Sequence, residues 1–249
     1  MGGRGLTGVM VGREHQLSRS VSFMSDSLAN GFGRSLFIWG RAGLGKTRMV
    51  NEIERSLSRT GFLCVRGEDS VGSSPFRRTI AGWFGTGSGG GEQAEAESFE
   101  SVLEGMLLNL SISSSGMHDE LKKAAPWLRC FLGIGDWKSE LPEDLEAVQR
   151  KNLVGRAVSV FFRSVAAISP LVVVTEDIHR FSGDDLDLTC SIARQISSSP
   201  LCLVLTGRPH EMKRHSGLEE LESSSSSETL RLRGLSRSEL EVFVRLHGC

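Results

Sequence analysis

The eight residues GRAGLGKT, Gly40–Thr47, decide how the rest of this chain is interpreted. Their spacing is G-x-x-x-x-G-K-T, which is the P-loop or Walker A pattern. A polyphosphate needs several backbone N–H donors aimed at one place, and glycines let the backbone come close because they carry no side chain. In such a loop Lys46 would reach the terminal phosphates and the hydroxyl of Thr47 would bind Mg²⁺. A glycine-rich turn can match the pattern by chance, so the flanking sequence must test it.

The sequence on either side of the loop has the character that a phosphate site requires. SLFIW, Ser35–Trp39, is a short apolar run that ends at a glycine, as is typical of a buried strand. After the loop, Met49, Ile53 and Leu57 recur at helical spacing before a stop at Gly61. The N–H groups and dipole at the start of that helix would face a bound anion. We therefore predict a phosphate-binding loop made of Gly40, Arg41, Ala42, Gly43, Leu44, Gly45, Lys46 and Thr47.

Four further segments have the pattern of strands, and helical patterns separate them. FLCVRG (62–67), LVVVTED (171–177) and LCLVLTGRP (201–209) are apolar runs too short for helices, and a shorter run lies near 229–232. Continuous apolar runs suit parallel strands that are buried on both faces. A long helical pattern runs from Pro142 to Ser169, and SGLEELESSSSSE (216–228) is expected to be a loop with a serine tract. The alternation predicts an α/β fold: a three-layer α/β/α sandwich with five parallel strands and a helical insertion between the second and third.

Acidic residues end the third predicted strand. Glu176 and Asp177 follow VVVT and would lie at the carboxyl edge of the sheet, where ligands bind in open α/β folds. They could hold Mg²⁺ through water and orient a water molecule for cleavage of a γ-phosphate. On their own, two acids before a solvated loop would be the simpler interpretation. Beside a P-loop, we favour the catalytic one.

Two other polar residues fall near the same edge. Arg208 ends the next strand and could sense or stabilise a γ-phosphate, although its spacing fits a surface arginine equally well. His179 follows the acids and could polarise water, but we favour a neutral, packed histidine.

Composition limits the class of protein. Of 249 residues, 39% are hydrophobic and 24% are charged, which is enough for one sizeable core. The formal net charge is -1, so neither nucleic acid nor an anionic membrane is expected as a partner. No secretory signal or membrane span is visible, and the five cysteines show no C-x-x-C pair. We expect a cytoplasmic protein whose reduced thiols act as small hydrophobes.

Four strings in order resemble one family: VGRE (11–14), GRAGLGKT (40–47), LVVVTEDIH (171–179) and VLTGRPHE (204–211). They resemble the signal-transduction ATPases with numerous domains, or STAND proteins, a branch near the AAA+ ATPases. The likeness is greatest to ATPase modules found beside nucleotide cyclases, serine/threonine kinases and LuxR-type regulators. It covers nearly the whole chain, although only the four short strings are specific.

The resemblance implies ATP and Mg²⁺ as ligands and assigns roles to individual residues. Val11, Gly12 and Arg13 would lie near the adenine, and Thr47 with Glu176 would bind the metal. The catalytic set would be Lys46, Glu176, Asp177 and Arg208.

The resemblance also implies an architecture. The strand order would be 5-1-4-3-2, with the P-loop strand between the Arg208 strand and the last strand. Residues 1–249 would form a single ATPase domain: a helical entry (1–34), a core (35–234) with its insertion at about 75–168, and the start of a truncated helical lid (235–249). A protein partner or a covalently linked effector or lid domain would follow.

Several functions remain open at this point. The first is an ATP-driven signalling switch with slow hydrolysis. The second is a module that binds nucleotide without turnover, which is favoured by Glu176 standing where the family usually has Asp. The third is an origin-recognition-like ATPase, since those also carry a GRE segment, but no basic winged-helix region follows here. A P-loop small-molecule kinase is less favoured because no arginine-rich lid is evident. No N-K-x-D guanine motif is present, yet ATP and GTP are not strictly separated.

Overall fold

The computed structural model describes residues 10–67, 74–86, 91–142 and 144–247, and for His247 only the backbone. Residues 1–9 of the expected entry segment and 248–249 of the expected lid lie outside these ranges. The strands are β1 Arg34–Trp39, β2 Leu63–Gly67, β3 Leu171–Thr175, β4 Leu201–Gly207 and β5 Ser227–Arg231. The helices are α1 Glu14–Ala29, α2 Lys46–Ser58, α3 Pro75–Trp83, α4 Glu92–Ser113, α5 Ser115–Leu132, α6 Ala147–Ile168, α7 Gly183–Gln195, α8 Ser216–Glu222 and α9 Arg237–His247, with a 3-10 turn at Ile178–Arg180.

The five strands form one parallel sheet in the order β2-β3-β4-β1-β5. This confirms the predicted order 5-1-4-3-2. Strand β4 separates β1 from β3, with Leu36 opposite Val204 and Val173 opposite Leu203. Adjacent strands are about 4.8 Å apart, so the carboxyl ends of β1 and β3 lie about 10 Å apart at the backbone. That gap is a crevice which side chains from both strands can reach.

Helices cover both faces of the sheet, which confirms the three-layer arrangement. Successive residues of β1 point to opposite faces, so Leu36 and Ile38 pack with α1 and α2, whereas Phe37 and Trp39 pack with the helices of the other layer. Every residue of β3 and β4 is buried. The continuous apolar runs in the sequence therefore correspond to strands that are buried on both sides.

Four helices, α3 to α6, lie between β2 and β3 in the chain and form the predicted insertion. Aromatic rings hold it together: Phe84 stacks on Phe99 at 4.3 Å between centroids, and Phe161 and Phe162 of α6 meet at 5.3 Å. All four rings are buried, and each buried phenyl group contributes about 1.5–3 kcal/mol. Helix α6 thus carries the insertion onto the sheet.

Some element boundaries differ from the sequence-based expectation. Helix α6 begins at Ala147 rather than at Pro142, because Glu146 and Gln149 form a capping box at that point. The stretch SGLEELE, expected to be part of a loop, forms α8; this expectation was wrong. The His215 ring accepts a hydrogen bond from the backbone N–H of Leu218 at 3.3 Å, and burial of Leu218 and Leu221 favours the helical turn.

Gly33 lies against the backbone of the α7–β4 connection, just before β1. A Cβ added there would lie 2.0 Å from the carbonyl oxygen of Ile196, and backbone cannot move away as a flexible side chain can. We expect Gly33→Ala to lower the free energy of unfolding by about 1–3 kcal/mol, measured by urea denaturation. Gly105→Ala is the control, because no atom lies within 4 Å of a Cβ on that α4 residue and alanine favours a helix. Equal losses in both variants would contradict the packing argument.

Candidate functional site at the carboxyl edge of the sheet

The loop between β1 and α2 depends on two glycines for its conformation. Gly43 and Gly45 have φ angles of 78° and 86°, in the left-handed region. A Cβ at either position would meet no atom within 4 Å, so the backbone conformation rather than crowding requires glycine. The N–H of Gly40 donates to the carbonyl oxygen of Gly207 at 3.2 Å, which ties the start of the loop to the end of β4.

Lys46 is the first residue of α2 and folds back over the loop. Its side-chain Nζ donates to the carbonyl oxygens of Gly40 at 3.0 Å and Arg41 at 3.2 Å. The residue is only 8% exposed. Burial lowers the pKa of Lys46, while the Asp177 carboxylate opposes that change. An ammonium group held inside a glycine loop suits the binding of a phosphate anion.

Glu176 connects the loop to the acid-ending strand. The Thr47 hydroxyl donates to Glu176 Oε2 at 2.6 Å. Arg66 Nη1 donates to the other carboxylate oxygen at 2.9 Å. The fold therefore brings together the two residues predicted to bind metal, Thr47 and Glu176, as a pair of adjacent oxygen donors.

Arg66 was missed by the sequence analysis. Its guanidinium also donates to Glu54 and to Asn51, with Nε 2.8 Å from Glu54 Oε1. The hydrogen bond with Glu54 raises the pKa of Arg66, although burial opposes this. One signal could have revealed it: Arg66 comes at the end of an apolar strand, so its guanidinium emerges at the same sheet edge as Arg208.

Asp177 has an unusual backbone conformation. Its φ and ψ are 54° and 42°, and it is the one non-glycine residue with positive φ in the described ranges. Aspartate tolerates this region better than most residues. Its N–H donates to the hydroxyl of Thr206 at 3.2 Å, so the ends of β3 and β4 are joined at the edge that carries the acids.

Arg208, Glu211 and His179 form a second polar group at this edge. Arg208 Nη1 donates to Glu211 Oε1 at 2.8 Å, and Glu211 Oε2 lies 3.3 Å from His179 Nε2. The His179 side chain is 3% exposed, which confirms the prediction of a packed histidine. Burial lowers the pKa of His179. Glu211 was not among the predicted site residues, and no spacing rule would have selected it.

The segment predicted to lie near the base borders a cavity of about 370 Å³. Val11 and Arg13 line it on one side, and Leu240 and Phe243 of α9 line it on the other. Gly12 has a φ of 72°, and a Cβ there would lie 2.4 Å from the Glu239 carboxylate. Mostly apolar walls of this size suit a flat heteroaromatic ring.

Two remaining predicted residues of the phosphate loop contribute backbone groups rather than side chains. The side chains of Arg41 and Ala42 are exposed, and Arg41 contacts Lys46 through its carbonyl oxygen. Within the described part of the chain, no three His, Cys, Asp or Glu side chains converge as metal ligands. A cation beside Thr47 and Glu176 would therefore take further oxygens from phosphate and water.

Residues 9–204 match the AAA ATPase domain family, and the chain belongs to that family. It is also similar to the Uncharacterized protein R02095 of Rhizobium meliloti (strain 1021), with 26% identity over 207 residues. That alignment covers 81% of this chain and 19% of the relative, so the chain spans about a fifth of the length of the curated relative it matches.

Several solved structures are similar in fold. Drosophila ORC bound to DNA aligns over 97% of this chain and 47% of its own, with a TM-score of 0.49 and 13% identity. The Aeropyrum pernix ORC1 protein in complex with DNA aligns over 96% of this chain and 49% of its own, with a TM-score of 0.45 and 14% identity. The Pyrococcus horikoshii STAND protein with a tetratricopeptide repeat sensor aligns over 95% of this chain and 25% of its own, with a TM-score of 0.39 and 16% identity.

In the ranges that the structure describes, no helix combines the length and the apolar character needed to cross a bilayer.

Proposed function

We propose that this protein binds Mg-ATP in the loop Gly40–Thr47, hydrolyses it slowly, and acts as a switch module of a larger signalling protein. One observation carries the proposal: the buried Lys46 ammonium and the Thr47–Glu176 pair at 2.6 Å meet at one edge of the sheet. The family consists of ATPase domains, and the strand order supports the same placement.

Phosphate binding would use the backbone N–H groups of the loop and the N-terminus of α2. Lys46 would exchange its bonds to the carbonyls of Gly40 and Arg41 for stronger, charge-assisted bonds to phosphate oxygens. The loop carbonyls hold the ammonium near the place where it is needed, so little reorganisation is required.

Thr47 and Glu176 would hold Mg²⁺, and both offer oxygen ligands, as this cation prefers. When bound, the ion would offset negative charge on the phosphates. The contact of Arg66 with Glu176 Oε1 fixes the carboxylate so that Oε2 remains directed at the Thr47 hydroxyl.

Hydrolysis would depend on Asp177 and Arg208. The Asp177 carboxylate would orient a water molecule and accept a proton from it. The Arg208 guanidinium would stabilise charge on the γ-phosphate. Both residues follow the ends of paired strands, β3 and β4, which the bond from the Asp177 N–H to the Thr206 hydroxyl joins, and this placement supports their convergence on one anion.

Binding without turnover is the alternative, and one contact favours it. The Glu176 carboxylate already accepts hydrogen bonds from both Thr47 and Arg66, so the Arg66 guanidinium offsets part of the negative charge that could act on a water molecule. Measuring turnover separates the two functions.

The base and the partner form the remaining part of the proposal. Val11, Gly12 and Arg13 would position an adenine in the cavity against α9. Exposed apolar side chains on α9, among them Leu240 and Leu246, support a covalently linked lid or effector domain as the partner. We place this switch in the cytoplasm.

Calorimetry with ATP, ADP and GTP in the presence of Mg²⁺, combined with phosphate-release assays, tests the proposal. We expect ATP to bind more tightly than GTP and phosphate to be released slowly. If the folded protein binds no nucleoside triphosphate, the proposal fails.

Thr47→Val and Thr47→Ser test the metal site separately from catalysis. Serine keeps the hydroxyl oxygen, whereas valine replaces it with a methyl group of similar size. We expect Mg²⁺ to increase the affinity of the wild type for ATP by some factor. That factor should be about tenfold smaller in the valine variant and unchanged in the serine variant. Affinities measured with Mg²⁺ and with EDTA give this factor. An equal factor in wild type and Thr47→Val would rule out the hydroxyl as a ligand.

A further inference from the structure

Glu211 bridges two polar side chains at the proposed γ-phosphate position, and the proposed function gives it no role. One carboxylate oxygen lies 2.8 Å from Arg208 Nη1, and the other lies 3.3 Å from His179 Nε2. A single acid therefore holds in place an arginine and a histidine that come from the ends of two neighbouring strands.

The bridge stands next to the phosphate loop. Arg208 directly follows Gly207, whose carbonyl oxygen accepts a hydrogen bond from the Gly40 N–H at 3.2 Å. Burial lowers the pKa of Lys46, Arg208 lowers it further and Glu211 raises it. Within the described residues, the buried Arg208 Nε and His179 Nδ1 have no hydrogen-bond partner. These two side chains thus keep unused hydrogen-bonding capacity beside the site where the terminal phosphate would lie.

We propose that Glu211 is a positioning residue which takes the place of the γ-phosphate in the nucleotide-free protein, and so limits the preference for ATP over ADP. This inference rests on the proposed function. The γ-phosphate of ATP would displace the Glu211 carboxylate from Arg208, and one anion would replace another. ADP has no phosphate at that position, so the Glu211–Arg208 pair would remain intact when ADP binds.

The exposure of the pair supports a reversible exchange. The Glu211 side chain is 52% exposed and that of Arg208 is 33% exposed, and ion pairs in such surroundings are weak. The γ-phosphate carries more negative charge than one carboxylate and, like a carboxylate, can accept bidentate hydrogen bonds from the guanidinium. Arg66 in β2 pairs with two less exposed acids, Glu54 and Glu176, and is therefore held more firmly than Arg208.

Glu211→Gln removes the competing charge and keeps the shape of the side chain. We expect calorimetry with Mg²⁺ to give ATP binding that is about two- to fivefold tighter than in wild type, as loss of an exposed ion pair predicts. ADP affinity should stay unchanged. When Arg208 is replaced by alanine, the additional Glu211→Gln change should no longer affect ATP affinity, because the two effects are coupled through one contact.

Glu219→Gln is the matched control, since Glu219 of α8 is about as exposed as Glu211 and also pairs with an arginine, Arg214, at 3.1 Å. It should change neither affinity. Weaker ATP binding in Glu211→Gln, an unchanged affinity, or equal shifts for ATP and ADP would overturn the inference and leave the phosphate loop assignment intact. A wild-type protein that binds neither nucleotide would overturn both.

Discussion

Lys46→Ala is expected to weaken the binding of Mg-ATP by about tenfold or more, because each lost charge-assisted bond to phosphate is worth about 1.5–3 kcal/mol. The same substitution removes the two bonds from Nζ to the loop carbonyls of Gly40 and Arg41. Calorimetry gives the affinity, and circular dichroism with thermal unfolding verifies that the variant is folded.

Two further variants sharpen this test. Lys122→Ala removes an exposed lysine of α5, far along the chain from the loop, and should leave ATP affinity unchanged. Lys46→Arg keeps the positive charge, but a planar guanidinium cannot reproduce the compact ammonium inside the loop, so we expect an intermediate affinity. An affinity equal to wild type in a folded Lys46→Ala protein would mean that the loop does not bind phosphate.

Asp177→Asn is expected to reduce ATP hydrolysis by about a hundredfold or more, the usual range for loss of a general base, with Mg-ATP binding largely retained. Asparagine also tolerates the left-handed conformation of residue 177 and keeps the backbone N–H bond to Thr206. The change therefore removes the proton acceptor and preserves the fold of the edge. Single-turnover phosphate release and calorimetry measure the two quantities.

Asp184→Asn provides the comparison for a lost carboxylate elsewhere. Asp184 of α7 is exposed and pairs with Lys151 of α6 at 2.7 Å, and its loss should not alter hydrolysis. Equal hydrolysis rates in wild type and Asp177→Asn would assign the positioning of water to another group. Absence of turnover in wild type would instead favour the binding-only alternative.

The strands of the sheet could be predicted from local patterns. Leu171–Thr175 and Leu201–Gly207 are buried on both faces, so their sequences are continuously apolar and easy to recognise. Their order in the sheet did not follow from composition; it followed from the resemblance, supported by the need for Lys46, Glu176 and Arg208 to approach one phosphate. The structure confirms that order.

The side-chain pairing within the site could not be predicted in the same way. Arg66 meets Glu176 across two strands and 110 positions of the chain, and such pairing depends on side-chain direction rather than on any sequence period. Helix α8 escaped prediction for a related reason. Its helical turn depends on the contact of the His215 ring with the Leu218 N–H and on burial of two leucines, and both are tertiary effects.

The close approach of Gly12 to Glu239 has a mechanical consequence. Met10 and His247 lie near opposite ends of the described chain, yet the segments that carry them form facing walls of one cavity. Tension applied between those ends would load the wall contacts before it loaded the hydrogen-bonded ladder of β1 and β4. A ligand bound between the walls would then change the force needed to separate them. A single-molecule pulling experiment would detect that ligand as a shift in the first rupture force.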